Sequence, residues 1–226
     1  MERRNWEPVT GAGLIGFAVG FGVFLLLLLR SEPGFVFLLD HANLLFHEAG
    51  HPLVGLFGAR LETYGGTFGQ LVFPCVLAVS FWRKRQPLAL AASCIWFFEN
   101  WFNIARYMAD ARRLELPLVG GGDHDWLIIF NRWDVLQYDT RIAAAVGLVG
   151  WIGIAAVCAW VVWRAWQDRR RRAVEGGLWR VGHGRATASK SKAERGTQHA
   201  ETGGRGVRGG AGAGVGGPQN PTVAIR

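Results

Sequence analysis

Residues 11–29 read GAGLIGFAVGFGVFLLLLL, an unbroken apolar stretch with no charged side chain. A membrane-spanning helix needs roughly 20 mainly apolar residues, and lipid offers no water to satisfy an open backbone, so such a segment is helical. Arg3 and Arg4 precede the stretch, as in a secretory signal peptide, but residues 30–33 (RSEP) follow it in place of a small-residue cleavage site. We therefore predict a retained membrane helix here.

Four further stretches have the length and apolar content of membrane spans. They cover residues 35–57, 66–82, 87–107 and 142–162. A polar segment, residues 108–141, separates the last two. In the whole chain 50% of the residues are hydrophobic, and a soluble domain of this length is normally more polar. The sequence thus predicts an all-α integral membrane protein, in which residues 1–166 form a bundle of about five transmembrane helices.

The remainder of the chain, residues 167–226, is basic and rich in glycine. Residues 203–217 contain almost no apolar bulk, so the burial of side chains cannot offset the entropy lost on ordering them. We predict a disordered tail from about Arg180 onward.

The net charge of +8 raises the question of a nucleic-acid partner. Much of the positive excess follows directly after the last predicted span, in Arg164 and residues 169–172 (RRRR), where basic clusters fix topology and contact anionic lipid. We expect membrane lipids as partners and no nucleic acid. The three cysteines stand in apolar runs without CxxC spacing, which indicates packing residues rather than a thiolate metal site.

The basic clusters also predict an orientation. Residues 83–85 (RKR) and residues 169–172 are the strongest groups of Lys and Arg, and such groups face the cytoplasm. With five spans, both reach the cytoplasm when the N-terminus lies outside. We expect a plasma-membrane or inner-membrane protein with a cytoplasmic tail.

The chemical signal of the sequence is His47-Glu48-Ala49-Gly50-His51, inside the second predicted span. Residues four apart share one face of a helix, so His47 and His51 can direct two imidazoles at one ion. Glu48 stands beside them as a base that can take a proton from water. Ionisable residues are costly within a span and mark functional sites. The motif therefore predicts a Zn²⁺ site, while the alternative is a polar patch satisfied by neighbouring helices.

Other polar residues within the spans have two interpretations. In the first, they line a substrate path or support the metal ligands; in the second, they form hydrogen bonds between helices. These residues are Glu99, Asn100, Asn103 and Gln70. Asp40 and His41 precede the motif, and the angle between His41 and His47 on a helix places His41 away from the metal face. Gly65 and Gly66 are predicted to form a turn, and Pro74 to kink the third span.

With this motif inside a predicted span, the sequence resembles the site-2-protease type of intramembrane zinc metallopeptidase. The resemblance rests on residues 46–51, Gly58 and residues 64–67 (YGGT), and it covers about residues 35–73. In that family the two histidines of the motif bind zinc and the glutamate activates water. The resemblance implies these roles for His47, His51 and Glu48.

That family takes its third zinc ligand from an aspartate of a later span, within an Asn-Pro and Asp-Gly type of signature that no predicted span here contains. The third ligand must come from elsewhere. One source is Asp110, at the end of the fourth span. The other is His124 or Asp125, after residues 120–122 (GGG), whose glycines let the backbone turn sharply. Alternatively, Asp110 pairs with a nearby arginine and residues 123–125 form a solvated turn.

These observations predict a membrane-embedded zinc metallopeptidase that hydrolyses peptide bonds in or near membrane segments of other proteins. Two alternatives stay open. The first is a zinc-dependent hydrolase acting on a lipid amide, which needs the same activated water. The second is a membrane protein without enzymatic activity that holds zinc for structure or sensing. A closed four-ligand site favours the second alternative, whereas a coordination position left open for water favours catalysis.

Overall fold

A computed structural model of the chain describes residues 5–30, 36–119 and 123–203, with side chains described up to residue 174. Every regular element in this part of the chain is helical, and no β-strand occurs in it. The elements are α1 (Gly11–Arg30), α2 (Phe37–Gly55), α3 (Ala59–Lys84), α4 (Pro87–Ala109), α5 (Asp125–Arg132) and α6 (Asp139–Gly203), with a 3-10 turn over Leu136–Tyr138 before α6.

Four of these helices are long and apolar enough to cross a membrane, which supports the prediction of a helical membrane protein. They are α1, α3, α4 and the part of the chain over Leu136–Val174. The helix α2, predicted as the second of five spans, is not one of them. It is 19 residues long, but its Asp, Glu and three His side chains lower its mean hydropathy.

The connections between helices explain where three elements begin and end. Gly58 joins α2 to α3 with φ of +132°, a conformation that side chains disfavour. Arg85 ends α3 in the left-handed region, and Pro87, which needs no backbone partner at the first helical position, begins α4. Gly65 and Gly66 lie inside α3, so the predicted turn at these residues is wrong. The chain turns at Gly58 instead.

Glycines let α2 and α3 pack backbone against backbone. A Cβ atom added to Gly50 would stand 2.1 Å from the carbonyl oxygen of Gly65. One added to Gly69 would stand 2.3 Å from that of Phe46. Small residues four apart permit such close approach of membrane helices. The function of Gly65 and Gly69 is therefore to bring α3 against the helix that carries the histidine motif.

A second packing centre joins α4, α5 and α6. Its buried members are Ile104, Met108, Ala111, Trp126, Ile129, Phe130 and Ala143. Further along α6, Gly150 and Gly153 receive the rings of Phe102 and Phe98 from α4. Arg112 donates two hydrogen bonds to Asp139, at 2.7 and 2.6 Å. This centre holds the short helix α5 firmly at one end of α4 and α6.

The segment before α1, residues 5–10, lies against two distant parts of the chain. The backbone N–H of Glu7 donates to the carbonyl of Arg85 at 3.0 Å. The N–H of Val9 donates to Asp168 at 2.9 Å, and Arg172 donates to the carbonyl of Val9 at 2.6 Å. These bonds bring the segment next to Arg85 and Arg172, which belong to the two basic clusters.

The chain divides into two compact units, Met1–Arg172 and Ala173–Arg226. The backbone of α6 is helical through Gly203, past Arg180, where the sequence predicted a disordered tail to begin. Ala, Arg, Lys and Glu recur in this part of α6 and favour helix. The rest of that predicted tail, residues 204–226, lies outside the described residues.

Candidate metal centre

His47, His51 and Asp125 come together although α2 and α5 are far apart in the sequence. One carboxylate oxygen of Asp125 lies 3.0 Å from His47 Nε2 and 3.3 Å from His51 Nε2. The three ligand atoms lie within 4.8 Å of one another. His47 and Asp125 are buried, and His51 is half-buried. This group can hold a metal ion.

The orientation of His51 is fixed by the backbone of α3. Its Nδ1 lies 2.8 Å from the carbonyl oxygen of Glu62. A carbonyl only accepts, so Nδ1 donates the proton in this contact, and Nε2 is the nitrogen that faces Asp125. Such a hydrogen bond behind a histidine is usual where the opposite nitrogen binds a metal.

The position of His47 depends on a glycine of the neighbouring helix α3. A Cβ atom at Gly66 would lie 2.4 Å from both Cε1 and Nε2 of the His47 ring. That position lies next to the nitrogen that faces Asp125. The absence of a side chain at Gly66 is therefore what leaves room for the imidazole in this place.

Tyr107 connects the motif helix to α5, and sequence analysis did not identify it. Its ring meets that of His47 edge to face, with centroids 5.7 Å apart. Its hydroxyl accepts a hydrogen bond from the backbone N–H of Asp125 at 3.2 Å. Its other neighbour is the ring of His124, at 4.1 Å. Tyr107 thus fixes the start of α5, from which Asp125 reaches the histidines.

The other two residues predicted as third ligands face away from this group. His124 caps α5, because its Nδ1 accepts from the N–H of Leu127 at 3.3 Å, and its Nε2 lies 3.6 Å from Asp110. Burial lowers the pKa of the His124 imidazole. Asp110 accepts from the N–H groups of Glu115 and Leu116, at 3.0 and 3.1 Å. Both residues shape the loop that delivers Asp125.

Glu48 follows His47 on α2 and is half-buried. Glu48 is not one of the three converging ligands, and its role as a base stays a prediction.

Glu99 and Asn103 belong to a separate polar cluster between α2 and α4. Asn43 donates to Glu99 at 2.9 Å and accepts from Trp96 at 2.8 Å, and Asn103 donates to Asp40. Buried amide and carboxylate groups require such partners. This arrangement is the helix-to-helix hydrogen bonding that was the alternative to a role in substrate binding.

The remaining predicted residues lie elsewhere. Asn100 donates to the carbonyl of Trp96 on its own helix, at 3.1 Å, and Gln70 is buried within α3. His41 is exposed, and its Nδ1 lies 2.6 Å from the carbonyl of Phe37. His41 is therefore outside the metal group, as its angle on the helix predicts.

The chain was compared with known proteins in three ways. No protein-family model matches the chain, and neither the curated proteins nor the solved structures include a match to it.

Proposed function

We propose that this chain is a membrane-embedded zinc metallopeptidase that cleaves peptide bonds in or near membrane segments of other proteins. The observation that carries the proposal is the convergence of Asp125 on His47 and His51. Two histidines one turn apart with a glutamate between them indicate a hydrolase of this type. A carboxylate supplied from a distant part of the chain completes the three protein ligands that catalytic zinc sites have.

Two of the three distances between donor atoms are close to those that a zinc ion needs. Bonds of about 2.0–2.1 Å in a tetrahedron place neighbouring ligand atoms roughly 3.3 Å apart. The two distances from Asp125 to the imidazole nitrogens are 3.0 and 3.3 Å. Nitrogen and carboxylate oxygen are donors that zinc accepts, and three protein ligands leave one position open. Zinc would supply a Lewis acid that polarises the scissile carbonyl and lowers the pKa of water.

Each of the remaining roles would belong to a residue of the chain. Glu48 would take the proton from the attacking water and return it to the nitrogen of the leaving amine. The carbonyl of Glu62 would keep the His51 imidazole in one tautomer. The Tyr107 hydroxyl would keep Asp125 in place through its backbone N–H. The half-exposed side of His51 would admit water.

Metal analysis of the purified chain tests the ligand set. We expect about one zinc per chain in the wild type and loss of zinc in His47→Ala and Asp125→Ala, because each removes one of three ligands. Asp110→Ala should keep zinc, since Asp110 binds loop N–H groups. His41→Ala is the matched control, a histidine of the same helix outside the group. Full zinc content in both His47→Ala and Asp125→Ala would refute this site.

Catalysis is tested by Glu48→Gln, which keeps the size of the side chain and removes the base. We expect unchanged zinc content and a loss of turnover of roughly 10²–10⁴-fold, the contribution of a general base. The measurement compares membrane-protein fragments in host cells that express the wild type or Glu48→Gln. Equal fragment patterns with zinc present in both proteins would favour the lipid-hydrolase or structural alternative.

A further inference from the structure

The molecule has two ends, and the metal group is at one of them. We name the first the N-segment end: residues 5–10, Arg85 and Gln86 after α3, and Asp168 and Arg172 of α6, which are joined by hydrogen bonds. We name the other the metal end. It contains the motif half of α2, the start of α3, the end of α4, and α5.

Three helices run between these ends. α3 starts at the metal end, where Glu62 holds His51, and finishes at Arg85. α4 starts beside Arg85 and finishes beyond Tyr107, which contacts His47 and Asp125. At 1.5 Å per residue, the 26 residues of α3 and the 23 of α4 are about 39 and 35 Å long. The hydrocarbon core of a bilayer is about 30 Å thick, so the two ends lie at its opposite surfaces.

The other helices agree with this arrangement. α6 starts at Asp139, which binds Arg112 just after α4, and reaches Asp168 at the N-segment end. α1 starts there as well, because a Cβ at Gly13 would lie 3.0 Å from Leu88 near the start of α4. Four crossings return a chain to the side from which it started. Five crossings would separate Val9 from Asp168, which it contacts at 2.9 Å. The helices α1 and α2 together therefore make one net crossing.

Charge orients the bundle. The N-segment end carries three consecutive basic residues at 83–85 and four at 169–172. The arginines of the metal end stand singly apart from one adjacent pair, of which Arg112 is bound to Asp139. They are Arg30, Arg60, Arg112, Arg113, Arg132 and Arg141. Clustered Lys and Arg next to spans face the cytoplasm, which assigns the N-segment end to the cytoplasmic surface.

From these observations we infer that the metal centre works at the non-cytoplasmic surface of the membrane. Resting on the proposed peptidase function, this inference also names the substrate class: the juxtamembrane segment of a membrane protein on the non-cytoplasmic side. α2 packs on α3 through the contacts Phe46–Phe73 and Gly50–Gly65, so the motif lies in the part of α2 nearer that surface. Tyr107, two residues before the end of α4, places the site near the membrane surface, where water and a peptide can reach it.

Single-cysteine labelling of the full chain tests the sidedness independently of activity. The starting variant has serine in place of the three native cysteines, Cys75, Cys94 and Cys158. Its zinc content is first compared with that of the wild type and must be equal. Asn5→Cys and Lys84→Cys report the N-segment end, and Asn131→Cys reports the metal end, all at exposed positions. We expect a membrane-impermeant maleimide to label only Asn131→Cys in intact cells, and the other two only after lysis.

Three results would overturn the inference. They are labelling of Asn5→Cys and Lys84→Cys from opposite sides, labelling of Asn131→Cys from the same side as Lys84→Cys, and the reverse orientation of all three. In the fragment comparison, wild-type cleavage on the cytoplasmic side would overturn the substrate class and leave the peptidase proposal standing. Expected labelling together with a metal-free chain would overturn the peptidase proposal and leave the sidedness of this end standing, so the two proposals fail separately.

Discussion

At the scale of single residues, the metal group depends on hydrogen bonds that hold its ligands. His51 is oriented by the carbonyl of Glu62, and Asp125 by the hydroxyl of Tyr107. The sequence motif names two histidines and a glutamate but says nothing of these partners. A ligand that is free to rotate loses conformational entropy when it binds an ion, so the partners set the affinity of the site.

Tyr107→Phe isolates one of these partners, because the ring stays and only the hydroxyl is lost. We expect the partly buried N–H of Asp125 to lose its acceptor, which costs about 1–3 kcal/mol of stability. We also expect zinc affinity to fall by roughly 10–100-fold, as for other groups that hold a ligand. Competition with a zinc chelator measures the affinity. Tyr138→Phe, at an exposed tyrosine, is the control. Wild-type affinity in Tyr107→Phe would show that the hydroxyl has no such role.

At the scale of secondary-structure elements, the close contact of α2 and α3 is what creates the site. Gly50, Gly65 and Gly69 remove the side chains that would separate the two backbones, and Gly66 leaves space for the His47 ring. A polar helix such as α2 is unfavourable in lipid by itself. Close packing on α3 and the hydrogen bonds of Asp40 and Asn43 to α4 offset that cost.

Gly66→Ala tests this dependence with one added methyl group. The Cβ would lie 2.4 Å from the His47 ring, so the ring must move away from Asp125, at a cost of about 1–3 kcal/mol for overpacking. We expect lower zinc content and a lower Tm. Gly147→Ala is the matched control, since its Cβ would meet Ala105 at an ordinary 3.8 Å. A wild-type zinc content in Gly66→Ala would contradict this account of the glycine.

At the scale of the whole molecule, the functional residues lie in one of the two compact units. The metal group, its hydrogen-bonding partners and the bonds between residues 5–10 and α6 all fall within Met1–Arg172. The four helices able to cross a membrane are in this unit, apart from the last two residues of Leu136–Val174. This unit therefore contains what the proposed function needs.

Removal of residues 180–226 tests that separation. We expect the shortened chain to keep the zinc content and Tm of the full chain, because no residue of the metal group or of its supports is removed. Metal analysis and thermal unfolding in the same detergent measure both quantities. A large fall in either would show that the second unit supports the fold of the first.

The sequence by itself determined the helical membrane class, the position of four of the helices within a few residues at most ends, and the pair His47 and His51. These follow from local physics. Apolar length sets a span, and a spacing of four residues sets a shared helix face. The start of α4 at Pro87 is also local, since proline is favoured at the first position of a helix, where its missing N–H needs no partner.

Only the tertiary structure decided which of three residues joins the histidines, and that residues 5–10 lie beside both basic clusters. Asp110, His124 and Asp125 are all possible zinc ligands in the sequence. The cap of α5 and the hydroxyl of Tyr107 select Asp125, and neither is visible as a pattern. The physical reason is that each of these outcomes rests on contacts between residues far apart in the chain. Hydropathy and helical periodicity describe only neighbours within a few turns.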